Sequence, residues 1–249
     1  MTADPTTRQL LDPDQDAAHA RSVLACPAGV TLAIEGAIEG TVEGRTGTVA
    51  DATAAGLGVD DRHGTPTFHC PTGSGLADAA ARGARATVTV SSGLGAPGSP
   101  ERSARLLVSG RLAVRGTTSC RCCAEPRETV VLTPETVLLA HPGAPAVEVS
   151  LALFCSPDHE LNTGYLQRIA RHVAQEHQDR LRRTVAVATA TPLEEVLGVG
   201  LTDLTREGVS VGWVDLQGAH LSPLRFPRPA RTASELSAML RRELDAGPC

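Results

Sequence analysis

Two histidines and one thiol cluster are the residues of this chain whose types and spacing could do chemistry. His177 sits in RHVAQEHQDRL with Val173 and Leu181 one helical turn away on either side. It therefore falls on the apolar stripe Leu161, Tyr165, Leu166, Ile169, Val173, His177, Leu181. An imidazole facing inward needs a hydrogen-bond partner or a ligand to offset its burial. His177 reads either as a clamp on a backbone carbonyl, as a metal ligand, or as an interface residue. His69 stands beside Cys70 at the end of TPTFHC and is the second candidate ligand, against the alternative of a satisfied or exposed histidine. Cys120, Cys122 and Cys123 in CRCC could hold a soft metal if Cys70 or Cys155 approached. They lack the paired C-x-x-C spacing of structural zinc sites, and Arg121 could instead lower a thiol's pKa and make the loop redox-sensitive; exposed loop thiols are the plain alternative. His172 reads as a surface partner of Glu176 one turn on.

A second cluster could take an anion. After TPTFHC the chain reads Cys70-Pro71-Thr72-Gly73-Ser74-Gly75 and enters a short helix, so Thr72, Ser74 and backbone N–H groups could face a negative ligand. The nearest cations are Arg82 and Arg85, with Arg111 on the strand ARLLVSGRLAVRG, where arginines alternate with apolar residues. A solvated strand face is the plain reading of that alternation. All 23 basic residues are arginine, which excludes Schiff-base chemistry, a phosphate-loop lysine and a lysine base. No G-x-S-x-G, H-E-x-x-H or phosphate-loop motif is present.

The elements that must position these residues are legible as periodicities. Asp14–Ala25 reads as a helix stopped by Pro27. Strands are expected at 30–34, 44–50, 65–70, 84–90, 104–114, 129–140 and 147–154, with a helix at 74–82 and a flexible loop at Gly93–Glu101. Beyond Ser156–Asp158, a helix capped by Asp158 leads to three short strands turning at Glu207-Gly208 and Gln217-Gly218. A last helix, capped by Thr232 or Ser234, runs to Leu244. The expected fold is α+β: an N-terminal antiparallel sheet or barrel over 14–157, which the resemblance given below implies is a split β-barrel, then a helix–three-strand–helix domain over 158–246.

Net charge is -5, aromatic residues are 2%, and no arginine block tracks a phosphate backbone, so nucleic acid is not an expected partner. No apolar run approaches the roughly 18 residues of a membrane helix, so no membrane partner is expected. The opening MTADPTTRQLLDPDQ has no basic region followed by an apolar run, and seven is an odd number of cysteines. Both lead us to expect reduced thiols and a cytoplasmic protein.

The element order resembles the flavin-binding split-barrel superfamily, which includes the pyridoxamine-phosphate oxidase-like proteins. The C-terminal third resembles the uncharacterised domain fused to such barrels in haem-utilisation oxygenases and in a chloroplast relative that binds glutamyl-tRNA reductase. The residues carrying the second resemblance are His177 and Asp179 in EHQDRL, Arg225, Phe226, Pro227 and Pro229 in LRFPRP, and the ASEL run at 233–236. The resemblance implies a homodimer that holds its cofactor between barrels. It also implies haem binding, with haem degradation as a further expectation: His69 or His177 would ligate iron, and Arg82, Arg85 or Arg111 would meet the propionates. The alternatives in the same frame are an FMN-dependent oxidoreductase and a non-catalytic adaptor docking a protein partner through its C-terminal domain.

Overall fold

The structure is a computed structural model and describes residues 12–35, 58–119 and 125–246. The strand expected at 44–50, the CRCC thiols and Cys249 lie outside the described residues. The chain divides into two compact units between His159 and Glu160.

In the first unit, α1 (Pro13–Ala25) starts at Asp12, whose carboxylate accepts from Asp14 N at 3.1 Å. Pro13 fits the first helical position, because its missing N–H would find no partner there anyway. The strands are β1 (Pro27–Ile34), β2 (Val59–Arg62), β3 (Thr65–Pro71), β4 (Arg85–Ser92), β5 (Arg105–Ser119), β6 (Pro126–Ala140) and the short β7 (Val147–Glu148). They form a curled antiparallel half-barrel in the order β1-β4-β5-β6-β3-β2, with β7 on β6. Alternation sets the core: β4 buries Ala86, Val88, Val90 and Ser92 and turns Thr87, Thr89 and Ser91 the other way. Ala17, Ala20, Val23 and Leu24 of α1 close one side of this core, all at 0% exposure. The helix after β3 is α2 (Gly75–Ala81), which contributes Leu76, Ala77, Ala79 and Ala80.

The strand expected at 147–154 is instead a two-residue strand followed by a one-turn helix, α3 (Leu151–Phe154). The turn carries Phe154 into the core at 0% exposure and aims its carbonyl at Arg21, which no extended run would do. Arg21 is itself 1% exposed. Its Nε donates to Asp61 Oδ2 at 2.8 Å, and its Nη1 donates to Phe154 O at 2.9 Å and Ser156 O at 3.2 Å. Asp61 Oδ1 also accepts from Gly64 N at 2.7 Å, so the buried pair ties α1, β2 and α3 together with its lone pairs satisfied.

In the second unit, α4 (Thr163–Glu176) is capped by Asn162, not Asp158. The Asn162 side chain accepts from Tyr165 N at 2.9 Å. Asp158 lies in the preceding 3-10 turn, Pro157–His159. α5 (Gln178–Thr189) follows after a break at His177. Then come β8 (Gly198–Thr202), β9 (Gly208–Asp215) and β10 (Gly218–Arg225) in the order β10-β9-β8, and α6 (Ala233–Ala246). Thr232 caps α6 by accepting from Glu235 N at 3.2 Å. Leu161, Leu181, Val185, Val199, Val211, Leu236 and Leu240 are in the core of this unit.

Candidate functional site

The expected anion cradle in the first unit is built, but its polar groups are engaged. Ser74 accepts from Ala77 N at 3.3 Å as the cap of α2, and Thr72 Oγ1 donates to Pro126 O at 3.3 Å. Arg82 is the C-cap residue of α2, at the opposite end from Thr72 and Ser74. Arg85 and Arg111 are register partners on β4 and β5, so their like charges stand directly opposite each other. Glu135 of β6 resolves that conflict. One carboxylate oxygen pairs with Arg85 Nη2 and the other with Arg111 Nε at 3.2 Å. Arg85 and Arg111 are thus committed to Glu135, but Arg127 of β6, the register partner of Pro71, stands at the junction itself with its Nε buried and without a hydrogen-bond partner among the described residues.

His69 lies in β3 opposite Thr129 of β6. Its Nδ1 is 3.3 Å from Thr129 Oγ1 and its Nε2 is 3.7 Å from Asp60 Oδ2. It is a half-exposed strand histidine with polar company on both ring nitrogens. Among the described residues no group of three or more His, Cys, Asp or Glu side chains is placed to hold a metal ion.

His177 departs from its expected position. It does not face the core on a continuous helix; it is exposed and forms the break itself, with φ -124° and ψ 26°. Its N–H still bonds to Val173 O at 3.1 Å, and its carbonyl accepts from Leu181 N at 3.0 Å, so the two helices continue through one distorted residue. The next side chain pins the break. Gln178 Nε2 donates to Ala174 O in the last turn of α4 and, at 2.6 Å, to Val199 O of β8. Arg182 bonds through Nε to Val196 O at 2.8 Å and through Nη2 to Leu193 O at 3.1 Å, fixing α5.

This break brings His177 against His172. The two rings lie edge to face with centroids 5.4 Å apart. Both line a pocket of about 330 Å3 whose walls include Ile169, Val173, Leu181, Leu240 and Leu244, with Arg180, Ser237 and Arg241 completing the lining. That size is at the lower end of ordinary ligand pockets. Thr184 Oγ1 donates to Leu244 O at 2.7 Å and holds the end of α6 to α5 at this pocket. No carboxylate lines it among the described residues. The spacing of His172 and Glu176 gives no sign of this partnership, because residues five positions apart do not face each other on a regular helix and meet here through the break at His177.

The structure therefore groups the candidates unevenly. Arg85 and Arg111 share one carboxylate in the barrel unit, Thr72 and Ser74 serve local caps, and His69 stands on β3. His177 belongs to the other unit and gains His172, Arg180 and Arg241.

No family profile matches the chain, and no curated protein matches it. Among solved structures, it is similar to a heme binding protein from Mycobacterium smegmatis at 15% identity and a TM-score of 0.42, covering 92% of this chain and 96% of that one. It is also similar to the protein Atu2129 of unknown function from Agrobacterium tumefaciens, at 18% identity and a TM-score of 0.41, over 98% and 100% of the two chains. A third, Hcp1 from Salmonella typhimurium, shares 15% identity over 48% of this chain and 90% of that one, at a TM-score of 0.28. Likenesses this distant assign neither a family nor a ligand to the chain.

Proposed function

We propose that the protein binds haem, and that the pocket between α4, α5 and α6 is where it does so. The observation that carries this reading is the His172–His177 pair on an apolar pocket with arginines in its lining. The donor set suits the group: an imidazole nitrogen for iron, aliphatic walls for the porphyrin faces, and guanidinium groups for two carboxylates. Ile169, Val173, Leu181, Leu240 and Leu244 would exclude water from the macrocycle. Arg180 and Arg241 would orient it by its acidic edge. Bound haem would supply a redox-active iron. His172 and His177 are the residues that would hold it.

Haemin titrated into the full-length chain tests the reading. A shifted Soret band is expected for the natural protein and for His69→Ala, and its loss in a His172→Ala, His177→Ala double variant. No Soret change in the natural protein, or an unchanged one in the double variant, refutes it.

A further inference from the structure

His19, outside every candidate site above, lies on α1 in the first unit. Its ring centroid is 5.1 Å from that of His141, just beyond the end of β6, with the planes tilted by 53°. His19 Nε2 is buried and meets no hydrogen-bond partner among the described residues. A neutral imidazole tolerates this position if its other nitrogen carries the proton. An imidazolium does not, because its second N–H would be buried without an acceptor while a second basic ring lies against it.

We propose that this contact is an acid-sensitive seat for α1: neutral His19 and His141 let the helix dock, and protonation of the pair loosens it. Groups facing the pair come from three elements. Asp16 lies one turn earlier on α1, and Glu101 lies on the 3-10 turn Pro100–Ser103. Arg102 and Arg105 share with His141 the lining of the adjoining pocket. Asp16 and Glu101 favour the charged form of His19, but burial and then His141 outweigh them and hold its pKa below the ordinary imidazole value. The sign follows. The folded state binds the His19 proton less readily than the detached helix does, so the seat is at full strength above about pH 6.5 and weakens as the pH falls below it.

Two other polar contacts of α1 do not share this direction. His159 Nε2 lies 3.3 Å from Asp14 Oδ1, a pair that protonation of His159 strengthens. The Arg21–Asp61 pair brings no histidine to the helix. Acid loosening of α1 is therefore specific to the His19–His141 contact. Two unit charges about 5 Å apart at an effective dielectric constant of 20 shift an opening equilibrium by on the order of a hundredfold. Partial exposure of both rings reduces that to about tenfold.

Hydrogen exchange of α1 peptides in the full-length chain at about pH 7.5 and about pH 5.5, corrected for intrinsic rates, reads the effect. The expected result is an α1 protection factor about tenfold lower at the acid pH, with β5 peptides unchanged. His141→Gln, a change at a half-buried residue beyond the end of β6, should remove most of the difference, and His19→Gln should do the same. An α1 protection factor that does not fall, or that falls equally in His141→Gln, overturns the proposal.

Discussion

Arg21 is the residue whose removal should cost the first unit most. Its side chain is 1% exposed and that of Asp61 is 5% exposed, so both charges depend on each other and on backbone groups for solvation. Arg21→Met keeps the aliphatic bulk beside Phe154 but strands the Asp61 carboxylate with the Gly64 N–H, and leaves the Phe154 and Ser156 carbonyls without their donor. Breaking one side of such a pair costs about 3–5 kcal/mol. At a urea dependence of about 2 kcal/mol per molar, the unfolding midpoint should fall by roughly 2 M. Asp61→Leu should cost less, about 2–3 kcal/mol, because the Arg21 guanidinium retains two carbonyl acceptors. The Arg21→Met, Asp61→Leu double variant should be more stable than the sum of the singles by about 2 kcal/mol, since neither charge is then stranded. Urea unfolding followed by far-ultraviolet circular dichroism gives all four corners of the cycle. A loss under about 1 kcal/mol for Arg21→Met, the range of an exposed pair, would refute the clamp, as would strict additivity.

Three further outcomes are expected. The Arg228 guanidinium, bonded to both Glu235 oxygens at 2.9 and 3.0 Å, and the Arg231 N–H hold the Glu235 carboxyl at about 2, so any stability it adds is present above the ordinary carboxylate range and lost only as the pH falls towards 2. Carbon-13 NMR should show that midpoint, and Arg228→Gln should raise it; a Glu235 titrating like a free glutamate contradicts the geometry. Trp213, the only tryptophan, stacks on His220 with ring centroids 5.0 Å apart, so removing the imidazole should uncover one face of the indole and move its emission to longer wavelength. The emission spectrum of His220→Ala reads this, and a spectrum unchanged from the natural protein rejects the stack. Gly110→Ala would place a Cβ 1.9 Å from Thr133 O at the bulge between β5 and β6; it should cost on the order of 2–4 kcal/mol in the same urea assay, and a neutral effect would contradict the register.

What periodicity could and could not reveal follows from the range of the interactions involved. The stripe from Leu161 to Leu181 selected Ile169, Val173 and Leu181 as residues that face the core, because a period of 3.6 survives one distorted residue, whereas Leu161 is buried from the turn before the cap. It could not reveal that His177 is the distorted one, since the bond that holds the chain at the break, Gln178 Nε2 to Val199 O, spans 21 positions. The run LALF illustrates a shorter failure: four apolar residues do not distinguish a strand from a helical turn, and the deciding contact is Arg21 on Phe154 O across 133 positions. Arg21 and His19 were both invisible in DQDAAHARSVLA, where polar residues alternate with alanines and nothing marks which of them turns inward. Burial of a charge or an imidazole is decided by its partner, and Asp61 and His141 come from elsewhere in the chain. The candidate pocket has the same origin. Its apolar walls are helical stripes, readable one by one, whereas its chemistry arises where a break in one helix brings His177 to His172 and the end of α6 brings Arg241 alongside. A sequence pattern can therefore indicate that such a pocket has walls, but what it recognises is set by the few polar contacts that bend and tie those helices.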